Sequence, residues 1–300
     1  MHSYFKQFCN KITIGSTLAN CILTRAIRMA EKLDECYRGV RSVNNFQLVG
    51  SFGRWTACSN TSDIDLVYFM PEQQFARFNN YSGNGQSALL QDVKRCIEKT
   101  YPNTELRGDG QVVIVSFSDN MRFEVVPAFL CQKQDYLYAD THNGGSWELS
   151  SPTASFEAFD EGDKLSQEKL RHLCRMARKW REQGEVNISG ILLDTHVFNF
   201  LKGRDWGKVY NCNSAMYKEF AYYDLMSLDF FEYLANQPQI SRSLNTPGNA
   251  ETVEDAGGYT TKALVAMQKA KQAVDIAGCG DTFNACNLWK EIYGHDFSEI

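Results

Sequence analysis

The hydrophobic period changes several times along these 300 residues, and those changes limit the folds open to the chain. Between Phe46 and Phe129 apolar residues come in short runs, such as DIDLVYFM, QVVIVSF and MRFEVVPAF, bounded by Gly, Asn, Asp and Ser, as strands require. Ser118, Asp119 and Asn120 separate the last two runs and favour an antiparallel hairpin. From Leu165 onward apolar residues recur every three or four positions. Leu170, Leu173, Ala177 and Trp180 form one helical stripe, and Phe220, Leu228, Phe231 and Leu234 a second; further helices are expected over 261–276 and 281–293, the last capped by Asp281. A long amphipathic helix carrying Leu18, Ile22, Ala26, Met29, Leu33 and Tyr37 begins near Ser16, and another helix is expected over 87–101. Residues 236–258, rich in Gly and Pro, read as a lid or a connector. The expectation is an α+β chain, with a mixed-sheet lobe over 1–160, a helical lobe over 161–300, and the long N-terminal helix spanning both.

Composition narrows the function. A net charge of −5 argues against a dedicated binder of long nucleic acid, which usually carries a basic surplus, while leaving room for a small anionic substrate met by local positive charge. The 10 cysteines include no CxxC pair, so no zinc knuckle is expected and all are read as reduced thiols. No window approaches about 18 consecutive apolar residues. A soluble, cytoplasmic protein with no membrane partner is expected.

The chemistry gathers in GSFGRWTACSNTSDIDLVYFM, Gly50 to Met70. Side chains alternate across a strand, so Asp63 and Asp65 share one face while Ile64 and Leu66 take the other. Two carboxylates held so close repel, and a cation between them is the simplest remedy; oxygen-only ligands suit magnesium or manganese. Glu124 breaks the apolar pattern of MRFEVVPAF, shares a face with Arg122 and Val126, and is the expected third acid. Three carboxylates from two strands could hold two cations for an in-line displacement on a phosphate chain. The Gly50-Ser51 turn would let backbone amides and a hydroxyl approach that chain closely.

These motifs resemble the DNA polymerase beta-like nucleotidyltransferases. More narrowly they are similar to the bacterial enzymes related to cyclic GMP-AMP synthase and oligoadenylate synthase, which make nucleotide second messengers in antiphage defence. The resemblance extends over nearly the whole chain, through GGSWELSSP, KLRHLCRMARKW and the closing NLWKEIYGHDF. It implies that Asp63, Asp65 and Glu124 bind two Mg2+ or Mn2+ ions, and that Gly50 and Ser51 contact phosphate. Glu124 departs from the aspartate found in many relatives. Lys179, before Trp180, matches a lysine that reaches the triphosphate; Arg175 one turn earlier, Ser189 and Arg54 are secondary nucleotide contacts. His142, His196 and His295 stand singly and are read as packed or solvated. Tyr81, Asn84 and Gln86, with the turn at 108–111, are expected at the site's border.

The implied reaction joins nucleoside triphosphates, ATP and GTP foremost, in an interlobe cleft and closes a cyclic dinucleotide. A cyclic trinucleotide and a linear product stay open, as do a regulatory partner protein and a downstream effector. The alternatives are nucleotide transfer to RNA, protein or a small molecule, and an inactive nucleotide-sensing module on the same fold.

Overall fold

The computed structural model describes residues 1–102, 104–131, 135–211, 220–249 and 251–297. The chain forms two compact units, and neither is a continuous segment. A sheet unit comprises Ile14–Trp55 and Asn60–Ala154; a helical unit comprises Met1–Thr13, Thr56–Ser59 and the chain from Ser155 onward. The long helix expected from Ser16 is a single helix, but it lies within the sheet unit instead of spanning both, and a separate helix precedes it. The first, α1 (His2–Ile12), belongs to the helical unit, and α2 (Ser16–Arg38) to the sheet unit.

In the sheet unit, β1 (Phe46–Leu48), the short helix α3 (Gly50–Gly53) and β2 (Asp63–Phe69) are followed by α4 (Gln73–Asn79) and α5 (Gly85–Glu98). Then come β3 (Glu105–Asp109), β4 (Val112–Ser116), β5 (Arg122–Leu130), β6 (Tyr136–Asp140) and β7 (Ser146–Ser150). The sheet runs β1-β2-β5-β4-β3, and β6 joins β5 to β7. β2 and β5 are parallel, and the expected β4–β5 hairpin is antiparallel with Ser116 opposite Arg122. Pro127, which looks out of place in a central strand, falls between the residues of β5 that pair with β4, ending at Val125, and those that pair with β6, starting at Ala128. Its missing N–H therefore interrupts neither antiparallel ladder.

Helix α2 buries Ile22, Ala26, Met29 and Leu33 in the core that also holds Ile64, Leu66, Phe123 and Val125. Buried Asp34 fixes α2 against β2: it accepts hydrogen bonds from Tyr68 Oη at 2.7 Å, Asn45 Nδ2 at 2.9 Å and Arg38 at 2.8 Å. A buried carboxylate so surrounded is satisfied and orienting. One cysteine expectation is corrected here. Cys36 on α2 and Cys96 on α5 form a disulfide, with Cα atoms 6.5 Å apart. These two helices, distant in sequence, lie against one another, which no local spacing announces; Cys212 lies outside the described residues.

The helical unit continues through α6 (Pro152–Leu165), α7 (Lys169–Gln183), α8 (Gly190–Gly203) and α9 (Tyr223–Ala235). It closes with β8 (Arg242–Asn245), β9 (Thr252–Asp255), α10 (Thr260–Gly278) and α11 (Thr282–Tyr293). Asp281 caps α11 as expected, accepting from the Asn284 N–H. The stretch expected to be loop holds the β8–β9 hairpin instead. A tertiary anchor overrides its Gly and Pro content: Asp255 accepts from Arg242 at 2.9 Å and from Tyr259 at 3.1 Å, and Tyr259 Oη meets His196 at 2.7 Å. His196 is thus packed, and burial pulls its pKa down to about 4, partly opposed by Asp255. The ending Trp289, Ile292, Tyr293 and Phe297 packs with Phe5 and Phe8 of α1 in one aromatic core. Among the described residues no helix is long and apolar enough to cross a membrane.

Candidate active site

The two aspartates take the faces expected of them. Along β2, Asp63 is exposed and Asp65 half-buried, while Ile64 and Leu66 are fully buried. The parallel register sets Asp63 opposite Arg122 and Asp65 opposite Glu124. In β5 the alternation matches, with Phe123 and Val125 buried and Arg122 and Glu124 half-buried. Four charged side chains therefore occupy one face of two neighbouring strands, because period-two patterning on both strands turns the intervening apolar residues into the core.

The Gly50-Ser51 turn is held beside this face by backbone pairing. β1 pairs with β2 so that Leu48 lies opposite Leu66, and the Val49 N–H donates to the Asp65 carbonyl at 2.9 Å. Gly50 sits at φ +60°, where a Cβ would lie 1.7 Å from Asp65 Oδ2. Only glycine meets both demands, the left-handed backbone and the contact with the carboxylate. Ser51 follows in the same short helix, and Arg54, which caps it, is buried.

The third acid is already engaged within its own strand. The Arg122 guanidinium forms an ion pair with the Glu124 carboxylate two residues along the same strand. Among the described residues no group of three His, Cys, Asp or Glu side chains stands ready to enclose a metal ion. The donor chemistry nevertheless suits a hard divalent cation: three carboxylates and no sulfur or imidazole, two of them directly opposed across a strand pair. Arg122 was visible in the sequence as sharing the face of Glu124, yet its ion pair was not; a charged residue alternating with the acid in an otherwise apolar strand was the available signal.

The other expected contacts have definite positions. Lys179 is 4% exposed, and its ammonium meets Asp296 at 2.7 Å and Glu182 at 3.0 Å. Burial works against its charge, but these carboxylates outweigh it and raise the pKa above that of ordinary lysine. Arg175 is buried, and its carbonyl accepts from Cys58 Sγ. Ser189 caps α8 by accepting from the Leu192 N–H. The Lys179 and Arg175 side of α7 is therefore packed. Sequence reading passed over Arg178, which is half-buried and donates to Asp194 at 2.6 Å, while Thr56 Oγ1 donates to the same carboxylate at 2.8 Å. Nothing local links residues so distant in the chain. The polarity read as a site border is used locally as well: Asn84 caps α5 and donates to the Thr141 carbonyl, and Gln111 donates to Asp140.

A mixed sheet with paired strand-borne aspartates beside a Gly-Ser turn, followed by a helical unit, is the arrangement the resemblance to nucleotidyltransferases leads one to expect. The chain belongs to the SMODS family, the Second Messenger Oligonucleotide or Dinucleotide Synthetase domain, whose profile matches residues 1–162. It is similar to a probable cyclic nucleotide synthase, IK1_05630, of Bacillus cereus (strain VD146), at 22% identity over 184 residues. That match covers 58% of this chain and 51% of the relative, so the chain spans about half the relative's length. Among solved structures, CdnC of E. coli MS115-1 with ATP has a TM-score of 0.69 at 16% identity, covering 99% of each chain. The same protein in complex with HORMA-deltaN scores 0.68 at 16% identity, covering 99% of this chain and 98% of that one. Vibrio cholerae DncV in its apo form scores 0.69 at 12% identity, covering 99% of this chain and 96% of that one.

Proposed function

We propose that this chain synthesises a cyclic nucleotide second messenger, a cyclic dinucleotide foremost, from ATP and GTP. The observation that carries the reading is the register that sets Asp65 opposite Glu124, with Asp63 on the same face and Gly50 against the Asp65 carboxylate. Asp63, Asp65 and Glu124 are the residues that hold Mg2+ or Mn2+, two ions per site. When bound, the ions neutralise phosphate charge and acidify the attacking hydroxyl.

In the proposed reaction a ribose hydroxyl oxygen forms a bond to the α-phosphorus of a triphosphate as the bond to the β-phosphate breaks and pyrophosphate leaves. One of the three carboxylates takes the hydroxyl proton. The Gly50 turn lets backbone amides and the Ser51 hydroxyl approach the phosphates, and the absence of a side chain at Gly50 leaves the Asp65 carboxylate its position. Arg54 holds the shape of the turn. A second, intramolecular attack on the remaining triphosphate closes the ring. Lys179 takes part by exchanging a carboxylate partner for a phosphate oxygen, with Arg175 and Ser189 supporting that region. CdnC has been solved with HORMA-deltaN, and a regulatory partner protein and a downstream effector in antiphage defence belong to the same proposal.

The test is incubation with labelled ATP and GTP and Mg2+ or Mn2+, without any acceptor, followed by mass spectrometry and nuclease digestion. A phosphatase-resistant product accompanied by pyrophosphate, lost in Asp63→Asn and Asp65→Asn, is expected. Label incorporated only when RNA, a protein or a small-molecule acceptor is added would refute the synthase reading.

A further inference from the structure

We infer that Arg122 is a positioning residue that competes with the metal ions for Glu124, holding the third carboxylate away from the aspartates until cations displace it. The inference rests on the reading of Asp63, Asp65 and Glu124 as the metal-binding acids. Three independent features of the sheet lead to it.

The register places Arg122 opposite Asp63, within the acidic face rather than at its margin. Its guanidinium pairs with Glu124, and its Nε is buried with no hydrogen-bond partner among the described residues. A buried donor without an acceptor carries its desolvation cost uncompensated. Arg122 is therefore not in an arrangement that satisfies it fully. The guanidinium is held by the carboxylate, and an alternative arrangement stands to gain a hydrogen bond.

The backbones of Asp65 and Glu124 are paired, yet their side chains do not join Asp63 in a cluster ready to hold an ion. Along β5 the Glu124 carboxylate is engaged by the guanidinium of residue 122, and on the proposed reading that pairing is what keeps it from the aspartates. Glutamate has the extra methylene needed to serve both positions, whereas aspartate, one carbon shorter, is less able to reach either in turn. Both members are open to solvent ions, with side-chain exposures of 39% for Arg122 and 28% for Glu124.

The electrostatics run in the same direction. Three carboxylates on one face repel, and a guanidinium among them serves as a built-in counter-cation in the absence of metal. An incoming divalent ion must compete with that charge for Glu124, so removal of Arg122 should tighten metal binding. A residue that merely supported the strand would loosen it on removal, and this difference in sign separates the two roles.

The experiment measures Mn2+ binding to the full chain without nucleotide, from the electron paramagnetic resonance signal of free Mn2+. Arg122→Gln should bind Mn2+ on the order of tenfold more tightly than the wild type, the size of one partly solvated charge interaction. Arg122→Met should show the same gain, with no amide to re-bond Glu124, and Arg122→Lys should stay near the wild-type value. In Glu124→Gln binding should weaken, and adding Arg122→Gln to it should recover little of the loss. Thermal unfolding in chelator identifies any variant that has lost its fold, and the remaining one of Gln and Met then decides. Unchanged or weaker Mn2+ binding in folded Arg122→Gln and Arg122→Met, with Glu124→Gln still weakened, overturns the role of Arg122 alone. If Glu124→Gln and Asp65→Asn both bind Mn2+ like the wild type, the metal-site reading falls and the inference falls with it.

Discussion

Replacing Gly50 with alanine separates the two demands placed on that residue. At φ +60° an alanine pays the left-handed penalty of about 1–2 kcal/mol. Its Cβ would also lie 1.7 Å from Asp65 Oδ2 and 2.6 Å from Asp65 Cγ, distances no pair of atoms tolerates. Either the carboxylate leaves its rotamer, at about 0.5–1.5 kcal/mol, or the turn moves away from β2. The summed loss of stability is about 1.5–3.5 kcal/mol, a fall of roughly 3–14 °C in melting temperature for a domain of this size. The catalytic loss should be larger in proportion, because a displacement of about 1 Å in a reacting group can cost on the order of 100-fold in rate. Gly39→Ala is the matched control: φ there is +70°, but nothing lies within 4 Å of the added methyl group. Gly39→Ala should lose about 1–2 kcal/mol and keep its turnover. Thermal unfolding by circular dichroism and initial rates of pyrophosphate release give both quantities. If the two variants turn over equally fast, or if Gly50→Ala matches the wild type, the contact between the turn and Asp65 does not have the role assigned to it.

Two further outcomes follow from the cores of the units. Cys36→Ser, or reduction of the wild type, should cost about 2–4 kcal/mol, because the Cys36–Cys96 bond closes a loop with a sequence separation of 60; an unchanged melting temperature under reductant would refute it. Burial lowers His172 to about 3 and His196 to about 4, so the unfolded chain binds more protons below about pH 6.5. Stability should therefore be fully present above that pH and decline as pH falls toward 4, by on the order of 3 kcal/mol from His196 alone. Urea unfolding of wild type and His196→Asn at pH 7 and pH 5 measures it, and an equal pH dependence in both refutes the assignment.

Much of the site was legible because its residues obey local rules. Asp63 and Asp65 alternate with Ile64 and Leu66, and Glu124 alternates with Phe123 and Val125, so period-two patterning was enough to assign their faces. The cap at Asp281, the buried stripe of α7 and the β4–β5 hairpin were equally local. Lys179, Arg175 and Ser189 were assigned nucleotide contacts by resemblance, and the structure finds these residues paired, buried or capping within the helical unit.

The sequence on its own determined which side chains share a face of β2 and β5, and that a Gly-Ser turn precedes two acids. The shared faces depend on backbone geometry that repeats every two residues along a strand. Only the tertiary structure decided which strands are neighbours, and hence that Asp65 faces Glu124 and Asp63 faces Arg122. It alone decided that Cys36 meets Cys96, that Arg178 meets Asp194, and that the hairpin at Arg242 is anchored through Asp255 to His196. Contacts of that kind depend on which apolar faces are buried together, a property of the whole packed chain that no short window contains.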